Sequence, residues 1–83
     1  MTDERYRIED PEEITRAMVE ETVKYRDELH EMNGTVLTVK DARVAANAFD
    51  QYARGFEISI ALTYYQKKLM YRFIRRIRPG RYR

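Results

Sequence analysis

The sequence has no cysteine, a single serine and only three glycines, and each scarcity removes a class of function. Without cysteine there is neither a disulfide framework nor a thiolate metal site. The lone serine, Ser59, has no histidine near it in sequence, which argues against a serine nucleophile. The glycines are isolated from one another, so no glycine-rich phosphate-binding loop exists. We therefore expect no enzyme and no cofactor.

Metal-ligand patterns are equally sparse. The only histidine, His30, follows Asp27 by three residues, a spacing that places two ligands on one helix face. One such pair makes no complete site, and a histidine near a helix end is better explained by the negative end of the helix dipole. The acidic residues between 9 and 13 lack the glycine turn and ligand order of an EF-hand loop. We expect no bound metal ion.

Long apolar runs are absent as well. No run approaches the roughly 18–20 residues of a membrane span, and residues 1–5 do not begin an apolar signal segment. We therefore expect a cytoplasmic protein without a membrane span, folded as one small domain over residues 1–83. Charged residues make up 36% of the chain, with two asparagines and two glutamines, a composition that leans towards thermophilic proteins.

Carboxylates are missing from the whole C-terminal third, since none follows Glu57. Residues 1–33 hold eleven acids and five bases, residues 34–57 hold three of each, and residues 58–83 hold eight bases. Clustered positive charge attracts polyanions and acidic surfaces. The expected partner is nucleic acid, RNA or DNA, with an acidic protein as the alternative.

Two helices are predicted ahead of the basic end. Asp10 is suited to cap the first, and Gly34 suits the left-handed position that ends it. The second begins at Thr38, with Asp41 three residues later as a variant capping box. Gly55 interrupts its pattern of small and aromatic residues. Both helices are amphipathic by their spacing.

Residues 56–64 fit two interpretations. Apolar and polar residues alternate, as in a half-buried strand, and with short strands near 5–9 and 35–39 this gives a small α+β fold. Against that, an apolar series continues in helical phase into the basic segment, so we favour helix. Its members are Ile58, Leu62, Tyr65, Leu69, Phe73 and Ile77.

The predicted fold is therefore mainly α, with three helices or a long-helix hairpin. The last helix runs to about Arg78, and residues 79–83 form a flexible basic tail. A chain of this size has a marginal core, and Phe56 to Ile60 would be apolar on most sides of a helix. We therefore predict a homodimer with Phe56 and Ile60 at the contact.

Placed on a helix, the basic segment has two faces. Leu69, Phe73 and Ile77 lie on the apolar one, while tyrosines alternate with cations on the other. Rings stack on bases and cations contact phosphates, which favours a nucleic-acid-binding protein. The predicted contacts are Tyr64, Lys67, Lys68, Tyr71, Arg72, Arg75, Arg76, Arg78, Arg81 and Arg83.

The opposite charges of the first and last helices suggest an alternative. The two helices could face each other within the chain, across a homodimer or against a partner protein, as a structural or protein–protein interaction module. An anionic membrane surface is a weaker third option. An interfacial helix needs a spare apolar face, and here that face is needed for the core.

Overall fold

A computed structural model of the protein describes residues 6–8, 10–34 and 36–79. Within these residues the chain is mainly helical, as predicted, with three helices and two short strands. In order they are β1 (Tyr6–Ile8), α1 (Pro11–Asn33), α2 (Val39–Ala53), α3 (Tyr64–Arg76) and β2 (Ile77–Pro79). No helix in the described part of the chain is long and apolar enough to cross a bilayer.

The boundaries of α1 are set by local signals. The Asp10 carboxylate accepts a hydrogen bond from the Glu12 backbone N–H at 3.0 Å, which satisfies one of the unpaired amides at the helix start. At the other end Gly34 has a φ of 72°, and its N–H donates to the His30 carbonyl at 3.0 Å. Both predicted ends are confirmed, and His30 lies in the last turn.

Two signals likewise bound α2. Thr38 and Asp41 form the predicted capping box, in which each side chain accepts from the other residue's backbone N–H. After the last turn Gly55 adopts a φ of 82°, and the Phe56 N–H donates to the Gln51 carbonyl at 2.9 Å. This left-handed termination turns the chain away from the helix axis.

The helix predicted for residues 56–64 is wrong, because α3 begins only at Tyr64 and residues 56–63 are irregular. The strand alternative also fails there, since this segment is in no sheet. The alternation of side chains is nevertheless real: Ile58, Ile60 and Leu62 are half-buried against the core. The strand predicted near residues 35–39 is not formed in the described part of that segment. Residues 36–38 are irregular and lead into α2.

The last helix ends two residues earlier than predicted, at Arg76. Ile77 to Pro79 pair with β1 as a parallel two-stranded sheet, in which Tyr6 is opposite Ile77 and Ile8 is opposite Pro79. Pro79 therefore belongs to a strand rather than to a flexible tail, and residues 80–83 lie outside the described residues.

The core lies where α3 packs against both α1 and α2. Phe49 of α2 and Phe73 of α3 meet edge to face, with ring centroids 5.7 Å apart. Leu69, Phe73 and Ile77 are fully buried, which confirms the predicted apolar face. The remaining buried apolar residues are Ile14, Ala17, Tyr25, Leu29, Leu37, Ala45, Ala48 and Met70. The opposite side of α3 consequently points outward.

Candidate nucleic-acid interface

A capping box fixes where α3 begins. The Thr63 N–H donates to the Gln66 side-chain oxygen at 3.0 Å, and the Gln66 N–H donates to the Thr63 hydroxyl at 3.3 Å. Gln66 is buried, and its amide nitrogen also donates to the Asp41 carboxylate at 2.8 Å. This bond ties the start of α3 to the start of α2.

The Asp41 carboxylate is stabilised in its charged form by these contacts. The backbone N–H of Thr38 lowers the pKa of Asp41 most, and the hydrogen bond from Gln66 adds to the effect. The role of Gln66 was not predicted from the sequence. The local signal was the spacing Thr-x-x-Gln at 63–66, which is a capping-box pattern.

The outward side of α3 presents the tyrosines that the sequence singled out. Tyr64 is 66% exposed and Tyr71 is 51% exposed. The Lys68 ammonium lies 5.4 Å from the centre of the Tyr64 ring, so cation and ring are neighbours as predicted. Tyr64 also meets the Tyr65 ring edge to face at 5.2 Å.

Three cations on this face have no carboxylate partner in the described part of the chain: Lys67, Lys68 and Arg75. All three are exposed, and α3 itself contains no acidic residue. Their charge is therefore available to an external anion. We call the set Tyr64, Lys67, Lys68, Tyr71 and Arg75 the exposed face of α3.

Two other predicted contacts are engaged within the chain. The Arg72 guanidinium donates to Glu28 at 2.9 Å and lies 3.4 Å from Glu21, both on α1. It also stands 5.2 Å from the centre of the Tyr25 ring, and its side chain is only 19% exposed. Arg76 lies 3.6 Å from Glu21. At these two positions the acidic first helix does complement the basic last helix.

Glu21 organises this contact. Its side chain is 8% exposed, and its two oxygens lie within 4 Å of Lys24, Arg72 and Arg76. The role of Glu21 was not predicted from the sequence. Glu21 falls four residues after Ala17 and four before Tyr25, so it lies on the same face of α1 as these buried residues. A carboxylate in that position has to be paired when the face is buried.

A groove of about 690 Å³ opens between the C-terminal half of α1 and the exposed face of α3. We call it the tyrosine groove, because Tyr25, Tyr64, Tyr65 and Tyr71 line it. Burial raises the pKa of the Tyr25 hydroxyl, and the neighbouring Tyr64 and Tyr65 raise it further. Tyr25 is therefore a neutral hydroxyl at physiological pH. Cations at the rim are Lys68, Arg72 and Arg75, and the Glu28 carboxylate is paired with Arg72.

The remaining predicted residues lie elsewhere. Arg78 is exposed but belongs to β2, opposite Arg7, so it does not continue the exposed face of α3. Arg81 and Arg83 lie outside the described residues. Of the predicted dimer contacts, Phe56 is 64% exposed, whereas Ile60 is half-buried against the core.

No group of three or more metal-ligating side chains lies together in the residues that the structure describes. The cytoplasmic location and the thermophilic character stay predictions from composition. The sequence matches no protein-family model and no curated protein, and the fold matches no solved structure.

Proposed function

We propose that this protein binds single-stranded nucleic acid, without catalysis, through the exposed face of α3. The observation that carries the proposal is the alternation of two exposed tyrosine rings with cations that have no described carboxylate partner. Each stacked base contributes about 1–3 kcal/mol, and every phosphate contact makes binding more salt-dependent. A surface with both features suits single strands, whose bases are open to stacking.

The geometry divides the predicted residues into two groups. Lys67, Lys68 and Arg75 are suited to phosphates, and Tyr64 and Tyr71 to bases. The two tyrosines are separated by about 10 Å along the helix axis, at 1.5 Å per residue, so they would stack on different bases. We do not propose Arg72 as a main phosphate contact, because a phosphate would have to displace two carboxylates from it.

Fluorescence anisotropy with labelled RNA and DNA strands over a salt series tests the phosphate contacts. Arg75→Ala should weaken binding to all sequences and reduce the slope of log affinity against log salt by about 0.7. Lys40→Ala is the matched control, because it removes one exposed charge from α2 instead. Equal effects of the two substitutions would show that only net charge matters and would remove α3 from the proposal.

The tyrosines are tested in the same assay. Tyr71→Ala should lower the affinity for single strands about five- to hundredfold and leave the salt slope unchanged, because it removes stacking and no charge. Tyr52 is 48% exposed on α2, so Tyr52→Ala controls for the loss of a surface ring. An unchanged affinity of Tyr71→Ala for single strands would contradict base stacking on Tyr71. That result would favour the alternative, an acidic protein partner that uses the same cations without needing the ring.

We also propose a homodimer, in which Phe56 is covered by a second copy. The core is small, and a phenylalanine that is 64% exposed is an apolar surface that pairing would bury. Val19, Val23 and Val39 line a second exposed apolar surface, between α1 and α2. Ile60 is partly buried against the core, so the proposed contact centres on Phe56.

Sedimentation equilibrium at micromolar concentration measures the mass directly. A dimer that Phe56→Ser converts to a monomer, and that Val23→Ser leaves intact, supports the proposed contact. The reverse pattern would place the contact at the valines. A monomeric wild-type protein would end the dimer proposal altogether.

A further inference from the structure

A second cavity adjoins the tyrosine groove. It has a volume of about 290 Å³, and we call it the cation cavity, because four of the five described side chains that line it are basic. Lys24 of α1 and Arg76 of α3 are at its walls, together with the Glu21 carboxylate. Arg72 and Arg75 line both this cavity and the tyrosine groove, so the two spaces lie side by side at these side chains.

The cations of this cavity are compensated unequally. Arg72 is paired with Glu28 in addition to Glu21. Glu21 lies 3.4 Å from Arg72, 3.6 Å from Arg76 and 3.9 Å from Lys24, so its one charge is shared among three partners. Arg75 has no carboxylate partner among the described residues. An anion with several oxygens would contact Lys24 and Arg75 together, and guanidinium groups bind phosphate oxygens in pairs.

We propose that the two spaces together hold one nucleotide unit of a bound strand. The base would lie in the tyrosine groove beside Tyr71, and its phosphate would lie in the cation cavity between Lys24 and Arg75. The volume of the groove is within the range of small-molecule sites, about 300–1,000 Å³. The inference rests on the proposed function and deepens it, because it adds residues of α1 to a site that the sequence placed on α3 alone.

Lys24 distinguishes binding through α3 alone from the proposed nucleotide site, which also uses α1. It is 56% exposed on α1, and its only described ion pair is with Glu21 three residues earlier. Binding through α3 alone gives Lys24 no specific role. In the nucleotide subsite, by which we mean the tyrosine groove and the cation cavity together, Lys24 contacts the phosphate. Arg16 is a matched control: it is 67% exposed on the same helix, pairs with Glu13 three residues earlier, and lines neither space.

The first experiment compares Lys24→Gln with Arg16→Gln in a salt series with a labelled single strand. Lys24→Gln should reduce the salt slope by about 0.7, and Arg16→Gln should leave it unchanged. Equal slopes for the two variants, with Arg75→Ala still impaired, would overturn the subsite and leave the proposed function standing. No binding of the wild-type protein to any strand would overturn both.

The second experiment asks whether base and phosphate are held as one unit. A nucleoside monophosphate, the matching nucleoside and inorganic phosphate each compete with the labelled strand. The monophosphate should displace the strand at an about five- to hundredfold lower concentration than inorganic phosphate, the factor that one stacked base contributes. The monophosphate should also compete better than the nucleoside, because it adds the phosphate contact. Lys24→Gln should reduce this difference between the monophosphate and the nucleoside. A monophosphate that competes no better than inorganic phosphate would overturn the subsite.

Discussion

Arg72 and Arg75 lie three residues apart on α3 and have different surroundings. Arg72 is held by two carboxylates and an aromatic ring of α1, with a side chain 19% exposed. Arg75 is exposed and has no ion pair with a described residue. By sequence the two are equivalent members of a basic run. In the structure Arg72 packs against α1, whereas Arg75 is exposed to solvent.

Replacing Arg72 should therefore cost stability. Arg72→Ala leaves the buried Glu21 carboxylate with fewer partners and removes a contact on the Tyr25 ring, which should lower the free energy of unfolding by about 1–3 kcal/mol. Urea denaturation measures this change. Arg75→Ala is the control and should stay within about 0.5 kcal/mol of wild type. Equal destabilisation by both substitutions would contradict the different roles of the two arginines.

At the scale of elements, the start of α3 depends on one glutamine. Gln66 closes the capping box of α3 and also donates to Asp41 in the capping box of α2. Its side chain thus couples two helix starts that are 25 residues apart in sequence.

Gln66→Ala should lower the free energy of unfolding by about 1–3 kcal/mol, since it removes a cap and leaves Asp41 without one of its donors. Thermal or urea denaturation is the measurement, and Lys67→Ala at the neighbouring exposed position is the control. If Gln66→Ala is as stable as Lys67→Ala, the hydrogen bonds of Gln66 do not hold the two helices together.

Elements that end on local signals could be predicted from the sequence. Asp10, Gly34, Thr38 and Asp41 act within a few residues of their own position, and the boundaries of α1 and the start of α2 agreed with the structure. Residues 56–63 could not be assigned by periodicity, because apolar residues in helical phase and in alternation were both present. The capping pattern that begins at Thr63 decides between them.

Contacts between distant segments could not be predicted from the sequence. The pairing of β1 with β2 joins strands of three residues each, too short for any period to show. The exposed face of α3 followed from helical projection, whereas the position of Glu21 beneath Arg72 and Arg76 depends on how α1 and α3 cross. The tyrosine groove is a product of that same crossing.

At the scale of the whole molecule, the fold brings an acidic helix alongside a basic one. The two helices neutralise each other only in part, because Glu21 and Glu28 pair with Arg72 and Arg76 while Lys67, Lys68 and Arg75 lie beyond them. The acidic helix therefore opposes the approach of a polyanion at one edge of the exposed face. Interactions of this kind extend over about 8–10 Å at physiological salt.

Removal of a carboxylate beside the groove should strengthen binding. Glu28→Gln takes away a negative charge that lines the tyrosine groove, so the affinity for a single strand should rise a few-fold at low salt and less at high salt. Glu12→Gln, in the first turn of the same helix, is the control and should change affinity less. A larger gain from Glu12→Gln would mean that the bound strand does not lie near the groove.

The most direct measurement is the affinity of the wild-type protein for a short single strand between about 50 and 200 mM salt. Three to four phosphate contacts by Lys24, Lys67, Lys68 and Arg75 predict a slope of about −2 to −3 in log affinity against log salt. Binding with that slope supports the exposed face of α3 as a nucleic-acid interface. Binding that is undetectable, or that does not change with salt, would contradict it.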